Sequence, residues 1–168
     1  MFDFLDVARQ MLATPSVTSE GTAELVDYVL RAVVPDLPGD VTVMGAQGDR
    51  DVNLLVVVSG TADEPPLLLN SHLDTVPPGD PKAWTATGGD PFRPDLRGDR
   101  LVGLGSADAK LDWLCKAEAI RRCGRGGLRR PAYLLGTYGE ERGMVGARSF
   151  LEDLGASRPA AALVAELT

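Results

Sequence analysis

Apolar residues return at helical spacing through the N-terminal part of the chain, and the pattern predicts two helices. The first covers about 2–12 and stops before Pro15. The second covers about 22–34, sets Leu25, Val29 and Val33 on one face, and stops before Pro35. Beyond Pro35 the period changes to short apolar runs, which predict strands at 41–44, 53–59 and 67–70. The run Leu54-Leu55-Val56-Val57-Val58 suits a strand buried on both faces. A long stretch rich in Pro, Gly and Asp then leads to a strand at 101–104, and a connection of that length inside a compact domain is usually functional. A helix over 109–123 ends at the Gly124-Arg125-Gly126-Gly127 break. A strand at 132–138, a helix at 145–154 followed by Gly155, and a strand at 160–165 complete the pattern.

Strands alternating with helices predict an α/β fold, a three-layer α/β/α domain with a mostly parallel central sheet. The 168 residues suffice for one domain with its own core, and 44% apolar with 24% charged residues is ordinary for a globular protein. The net charge of −7 and the lack of a basic stripe argue against nucleic acid as a partner. No apolar run is long enough for a membrane span, and the Met1-Phe2-Asp3-Phe4-Leu5-Asp6 start has no basic n-region of a secretory signal. Cys115 and Cys123 fall in one predicted helix, too far apart to bond and without metal-ligand spacing. They are expected to be reduced thiols in a cytoplasmic protein.

The one histidine, His72, changes the picture. It stands with Asp74 where the 67–70 run ends, and in an extended chain side chains two apart share a face. Asp74 could then fix the imidazole tautomer and leave the other ring nitrogen for a metal. Alone, the pair also reads as a histidine in a loop after a strand. Asp108, past the 101–104 strand, reads alone as the N-cap of the next helix. Glu140 and Glu141, past 132–138, read alone as a solvated acidic pair, and Glu166, past 160–165, carries no message by itself. Together they place an acidic or histidine residue beyond successive strand ends, where ligand-binding groups of such sheets gather.

In order, these segments resemble the acetylornithine deacetylase, succinyl-diaminopimelate desuccinylase and carboxypeptidase G family of co-catalytic zinc hydrolases. The matching stretches are His72-Leu73-Asp74-Thr75-Val76-Pro77, then Trp84 with Asp90-Pro91-Phe92, Gly98-Asp99-Arg100-Leu101 and 103–110. Gly139-Glu140-Glu141 with Gly146-Ala147-Arg148 follows, and last Ala165-Glu166-Leu167-Thr168, of which Glu166 and Thr168 match. The resemblance implies one metal held by His72, Asp108 and Glu166, with Asp108 bridging to a second metal also held by Glu141. It implies Glu140 as general base toward the attacking water and Asp74 as the residue orienting His72. Imidazole and carboxylates without thiolate suit zinc, with cobalt or manganese as substitutes.

Two departures qualify those expectations. Leu111 and Asp112 stand where the family commonly has glycines after the lysine. The family's later histidines, its substrate-gripping groups and its inserted dimerisation (lid) domain have no counterpart in 1–168. The sheet is therefore expected to be incomplete at its C-terminal side, with one zinc bound at most and little turnover by this chain alone. The expected substrate is a small N-acyl amino acid or peptide, with a lean toward the acetylornithine deacetylase branch. A separate C-terminal half is the expected partner. The alternative is a non-catalytic or decayed metal-binding domain.

Overall fold

The computed structural model describes residues 2–45, 49–124, 127–154 and 158–164. Helix α1 (Phe4–Ala13) opens on Asp3, whose carboxylate accepts the Asp6 N–H, and ends two residues before Pro15. Helix α2 (Ala23–Ala32) buries Leu25, Val26 and Val29, and Val33 just past its end is buried as well, so the expected apolar face is the one used. Strands β1 (Asp40–Met44), β2 (Asn53–Val58) and β3 (Leu67–His72) follow, then β4 (Asp95–Arg97) and β5 (Arg100–Val102). Helix α3 (Lys110–Gly124), β6 (Ala132–Thr137), helix α4 (Val145–Asp153) and β7 (Ala161–Val164) complete the order.

Five strands form the central sheet in the order β1-β2-β6-β3-β7. β6 runs parallel to β3, and β3 to β7, while β2 is antiparallel to both β1 and β6. Four of the five strands thus point one way and β2 alone is reversed, which agrees with a mostly parallel sheet. Side chains alternate across it. Leu54, Val56, Val58, Ala132 and Leu134 face a single core shared with Val7, Met11, Leu25, Val29, Trp113 and Ala117 of α1, α2 and α3. On the opposite face Asn53 donates to the Gly146 carbonyl of α4 at 2.8 Å. A Cβ at Gly146 would lie 2.5 Å from Asn53 Oδ1 and from the Tyr138 carbonyl, so only glycine allows this approach of α4 to the sheet. Helices on both faces make the three expected layers.

One expected strand belongs elsewhere. β5, anticipated at 101–104 in the main sheet, pairs only with β4 in a separate two-stranded ribbon. The cause is local: Arg97 pairs with Arg100 across Gly98-Asp99, and Gly98 has φ +64°, a glycine-led hairpin loop. The connection between β3 and β4 has structure of its own, short 3-10 turns at Pro81–Ala83 and Thr85–Thr87 with the Trp84 indole donating to the Pro78 carbonyl at 2.6 Å. Gly155, Ala165 and the Arg125-Gly126 part of the glycine break lie outside the described residues, so the expectations that fell on them do too. Cys115 and Cys123 are exposed, unbonded thiols on α3. No described helix is long and apolar enough to cross a membrane.

Candidate metal centre

β3 runs two residues further than its apolar pattern, so His72 is the last residue of the strand and not a loop residue beyond it. Pairing carries it there: His72 sits opposite Thr137 of β6. Its ring is only 2% exposed. The Nδ1 position is satisfied by the backbone carbonyl of Asp74 at 3.0 Å. A carbonyl can only accept, so Nδ1 carries a proton, and Nε2 is the ring nitrogen left to face a carboxylate when protonated or a metal when not. Nε2 faces Asp108 Oδ1 at 2.7 Å.

The expected relay through the Asp74 carboxylate therefore takes a different form. That carboxylate stands 3.6 Å from Nδ1, close enough for attraction and too long for a hydrogen bond. Its oxygens instead accept the backbone N–H groups of Glu140 at 3.1 Å and Glu141 at 3.3 Å. Asp74 thus orients the ring with its main chain and anchors the acidic pair with its side chain. It is fully buried. Burial would raise its pKa, yet His72 and the Glu140 N–H outweigh burial and hold the carboxyl below its usual range. Burial likewise opposes charge on His72, but the carboxylates of Asp74 and Asp108 prevail and raise it to about 9.

Asp108 is not the cap of α3. The first helical bonds are accepted by the Ala109 carbonyl, from Asp112 and Trp113, which makes Ala109 the cap residue. Asp108 lies one position earlier, and its Oδ1 is spent on His72. Because β5 lies outside the central sheet, Asp108 reaches the site from the end of the β4–β5 ribbon and not from a sheet strand.

Glu140 and Glu141 occupy the 3-10 turn Glu140–Arg142 just past β6, with Gly139 (φ +62°) turning the chain into it. Donor atoms of His72, Glu140 and Glu141 all lie within 4.8 Å of one another. Burial, then the charge of Asp108, push the Glu141 carboxyl upward; His72 pulls it down by less than these, and Glu140 and Asp74 add weaker upward pushes. Several carboxylates crowded around one imidazole form an anionic pocket of oxygen and nitrogen donors, and that donor set fits a divalent cation such as zinc. Glu166, the remaining expected ligand, lies outside the described residues. The structure thus brings together His72, Asp74, Asp108, Glu140 and Glu141.

A cleft of about 200 Å³ opens beside the centre, lined by Asn70, His72, Thr137, Glu140, Met144 and Val164. Asn70, Thr137 and Met144 carried no sequence signal as site residues. Period-two alternation would have found Asn70, because residues two apart on a strand share a face and His72 follows it by two. Thr137 is found by register alone.

Comparison with known proteins bears on descent and fold. The sequence profile of Peptidase family M20/M25/M40 matches residues 68–167. Acetylornithine deacetylase of Erwinia tasmaniensis is 34% identical over 171 residues, covering 99% of this chain and 43% of that protein. The Salmonella paratyphi B acetylornithine deacetylase is 35% identical over 172 residues, with 98% and 43% covered. This chain thus spans less than half the length of the curated relatives it matches. Among solved structures, an M20 family metallo-carboxypeptidase from Sulfolobus solfataricus superposes with a TM-score of 0.82 at 21% identity, covering 98% of this chain and 37% of that one. Human carnosine dipeptidase 1 superposes at 0.70 and 17%, with 98% and 38% covered. At these identities the two structures speak for the fold alone, and the profile match speaks for descent: the chain belongs to Peptidase family M20/M25/M40.

Proposed function

We propose that this chain supplies part of the active site of a zinc-dependent amidohydrolase. The site would cleave the amide bond of a small N-acyl amino acid or peptide, with acetylornithine as the model substrate. The observation that carries the reading is the convergence of His72 Nε2 on Asp108 and of Glu140 and Glu141 on the same imidazole, at one end of a parallel strand pair. His72, Asp108 and Glu141 would hold metal, with Glu166 as a further ligand. A divalent cation bound there supplies Lewis-acid polarisation of the scissile carbonyl and acidifies water. Zinc is favoured by the imidazole and carboxylate donors, with cobalt or manganese as substitutes.

The chain's own residues do the rest. Glu140 takes a proton from the attacking water and passes it to the leaving nitrogen, so that water and amide give a carboxylate and an amine. Asp74 holds Glu140 in place through its backbone N–H, and its carbonyl keeps the proton on Nδ1 of His72. Turnover further requires groups from additional polypeptide, in the same chain or a separate C-terminal half, because the centre described here has one histidine and no cation to grip a substrate carboxylate.

The test is zinc titration of the 168-residue chain beside His72→Ala. About one zinc bound by the parent and none by the variant is the expected result. Binding indifferent to His72, or no binding, refutes the reading. Hydrolysis of N-acyl amino acids after adding the remaining portion of a relative separates an enzyme from a non-catalytic metal-binding domain.

A further inference from the structure

Lys110 is fully buried, and no carboxylate of the described residues accepts from it. Its Nζ donates to the carbonyls of Thr14 at 2.8 Å and Met11 at 3.3 Å. These carbonyls close the C-terminal end of α1, where helical acceptors lack partners and the helix dipole favours a cation. If packing were all this position needed, a leucine or methionine would serve without the cost of burying an ammonium. Two donated bonds give the side chain a direction that an apolar residue lacks.

That direction bears on the metal centre. Lys110 follows Asp108 by two residues and opens α3. The chain before Asp108 folds over the lysine stem at Gly105 (φ +85°), where a Cβ would lie 2.9 Å from Lys110 Cδ and 3.1 Å from Thr75 Cγ2. The segment after α1 also grips the other side of the centre. Ser16 Oγ donates to the Leu73 carbonyl at 2.6 Å, Thr75 N–H to the Ser16 carbonyl at 3.0 Å, and Thr18 N–H to the Thr75 carbonyl at 2.9 Å. Residues 14–18 therefore hold the stretch after His72 directly, and hold the stretch around Asp108 through Lys110.

We propose that Lys110 is a positioning residue that sets Asp108 against His72 by tying the Asp108 turn to the C-terminal carbonyls of α1. The proposal rests on reading Asp108 and His72 as metal ligands, yet its first consequence is visible without metal. His72 is the only histidine, so its imidazole resonances need no assignment. In the parent chain the Nε2 proton, hydrogen-bonded to Asp108, should resonate downfield, and Asp108→Asn identifies it by removing or shifting it. Lys110→Met should lose the same resonance, leave the Nδ1 proton bonded to the Asp74 carbonyl, and keep the circular dichroism of the parent. With zinc, Lys110→Met should bind roughly 10–100-fold more weakly, the usual effect of losing an outer support of a ligand. In an Asp108→Asn background the same substitution should cost no further affinity.

An unchanged Nε2 resonance in Lys110→Met overturns the proposal, as does an equal loss of zinc affinity with or without the Asp108 carboxylate. Should Lys110→Met not fold, Lys110→Gln, which keeps a donor toward α1, should retain the Nε2 resonance and most of the zinc affinity, and loss of both in a folded Lys110→Gln would overturn the proposal. Failure of both to fold would make Lys110 a determinant of the fold and would also overturn the assignment. Absence of zinc binding by the parent, with the Nε2 resonance lost in Lys110→Met, would refute the metal reading and leave the positioning role standing.

Discussion

Replacing Asp74 by asparagine separates the two jobs this residue holds. The carboxylate accepts two backbone N–H groups, from Glu140 at 3.1 Å and Glu141 at 3.3 Å, in a side chain 1% exposed. An asparagine oxygen can replace one acceptor, but its NH₂ would meet the other N–H and leave it unpaired. Hydrogen bonds to a charged group contribute about 1.5–3 kcal/mol each, and both bonds here are long, so the low end applies. Removing the charge also relieves a desolvation cost. Yet the Asp74 carboxyl is held below its ordinary 3.8 despite burial, so the fold prefers the ionised form to a greater degree than water does. Asp74→Asn should therefore cost about 2 kcal/mol at pH 7, read by urea unfolding. A depressed carboxyl stabilises the fold above its unfolded pKa, and that contribution is lost as pH falls through the folded value. The gap between parent and variant should accordingly narrow below about pH 4. The His72 Nδ1 signal should survive, because its acceptor is the main-chain carbonyl of residue 74. Equal stability at pH 7, a gap that stays constant into acid, or loss of the Nδ1 signal would each refute this account.

Three further outcomes follow from the same site and sheet. His72, raised to about 9 in the metal-free chain, is protonated at pH 7.5, so zinc binding should release about one proton from it. Calorimetry in buffers of different ionisation enthalpy would measure this, and release that does not decline above about pH 9 would count against it. Asn53→Ala should cost about 1–3 kcal/mol of unfolding free energy, since it removes the acceptor of the half-buried Tyr138 N–H; a loss below about 0.5 kcal/mol would show that this N–H re-pairs elsewhere. The edge strand β7, where Leu163 and Val164 are each 56% exposed, should make this chain self-associate in sedimentation velocity and Leu163→Lys should reduce it; a monomeric parent or an unchanged distribution would exonerate that edge.

The apolar pattern located the central strands and helices because each has a face whose burial leaves a period in the sequence. It stops short of the C-terminal end of β3 because the last two residues, Ser71 and His72, are polar and held by pairing with Gly136 and Thr137. Register of that kind has no sequence signal. β5 reads from sequence as a strand of the main sheet because an isolated apolar triplet does not say which strand it pairs with. The Gly98-Asp99 dipeptide was the available hairpin clue. His72, Asp108, Glu140 and Glu141 were legible as an ordered set, but the contacts among them were not. Asp74 proved to act on the ring through its backbone, and a main-chain acceptor is invisible in residue identity.

The centre is built from two parts of unequal rigidity. His72, Asp74 and Lys110 are buried to 2% exposure or less and are tied to α1, α3 and β6. Glu140 and Glu141 are half-buried on a single 3-10 turn, hung from the Asp74 carboxylate, with Asn53 bonding the neighbouring Tyr138 and Gly146. A cation entering this site meets a fixed imidazole and a softer pair of carboxylates, of which Glu141 is already raised by burial and then by repulsion from Asp108. The energy of binding is then spent mainly on the acidic turn, which can move, and little on the histidine, which need not. Loss of metal should consequently loosen the Glu140–Arg142 turn in hydrogen exchange before it disturbs β3, whose amides are locked between β6 and β7. The reverse order would mean that the acidic turn, and not the strand, is the rigid frame of the site.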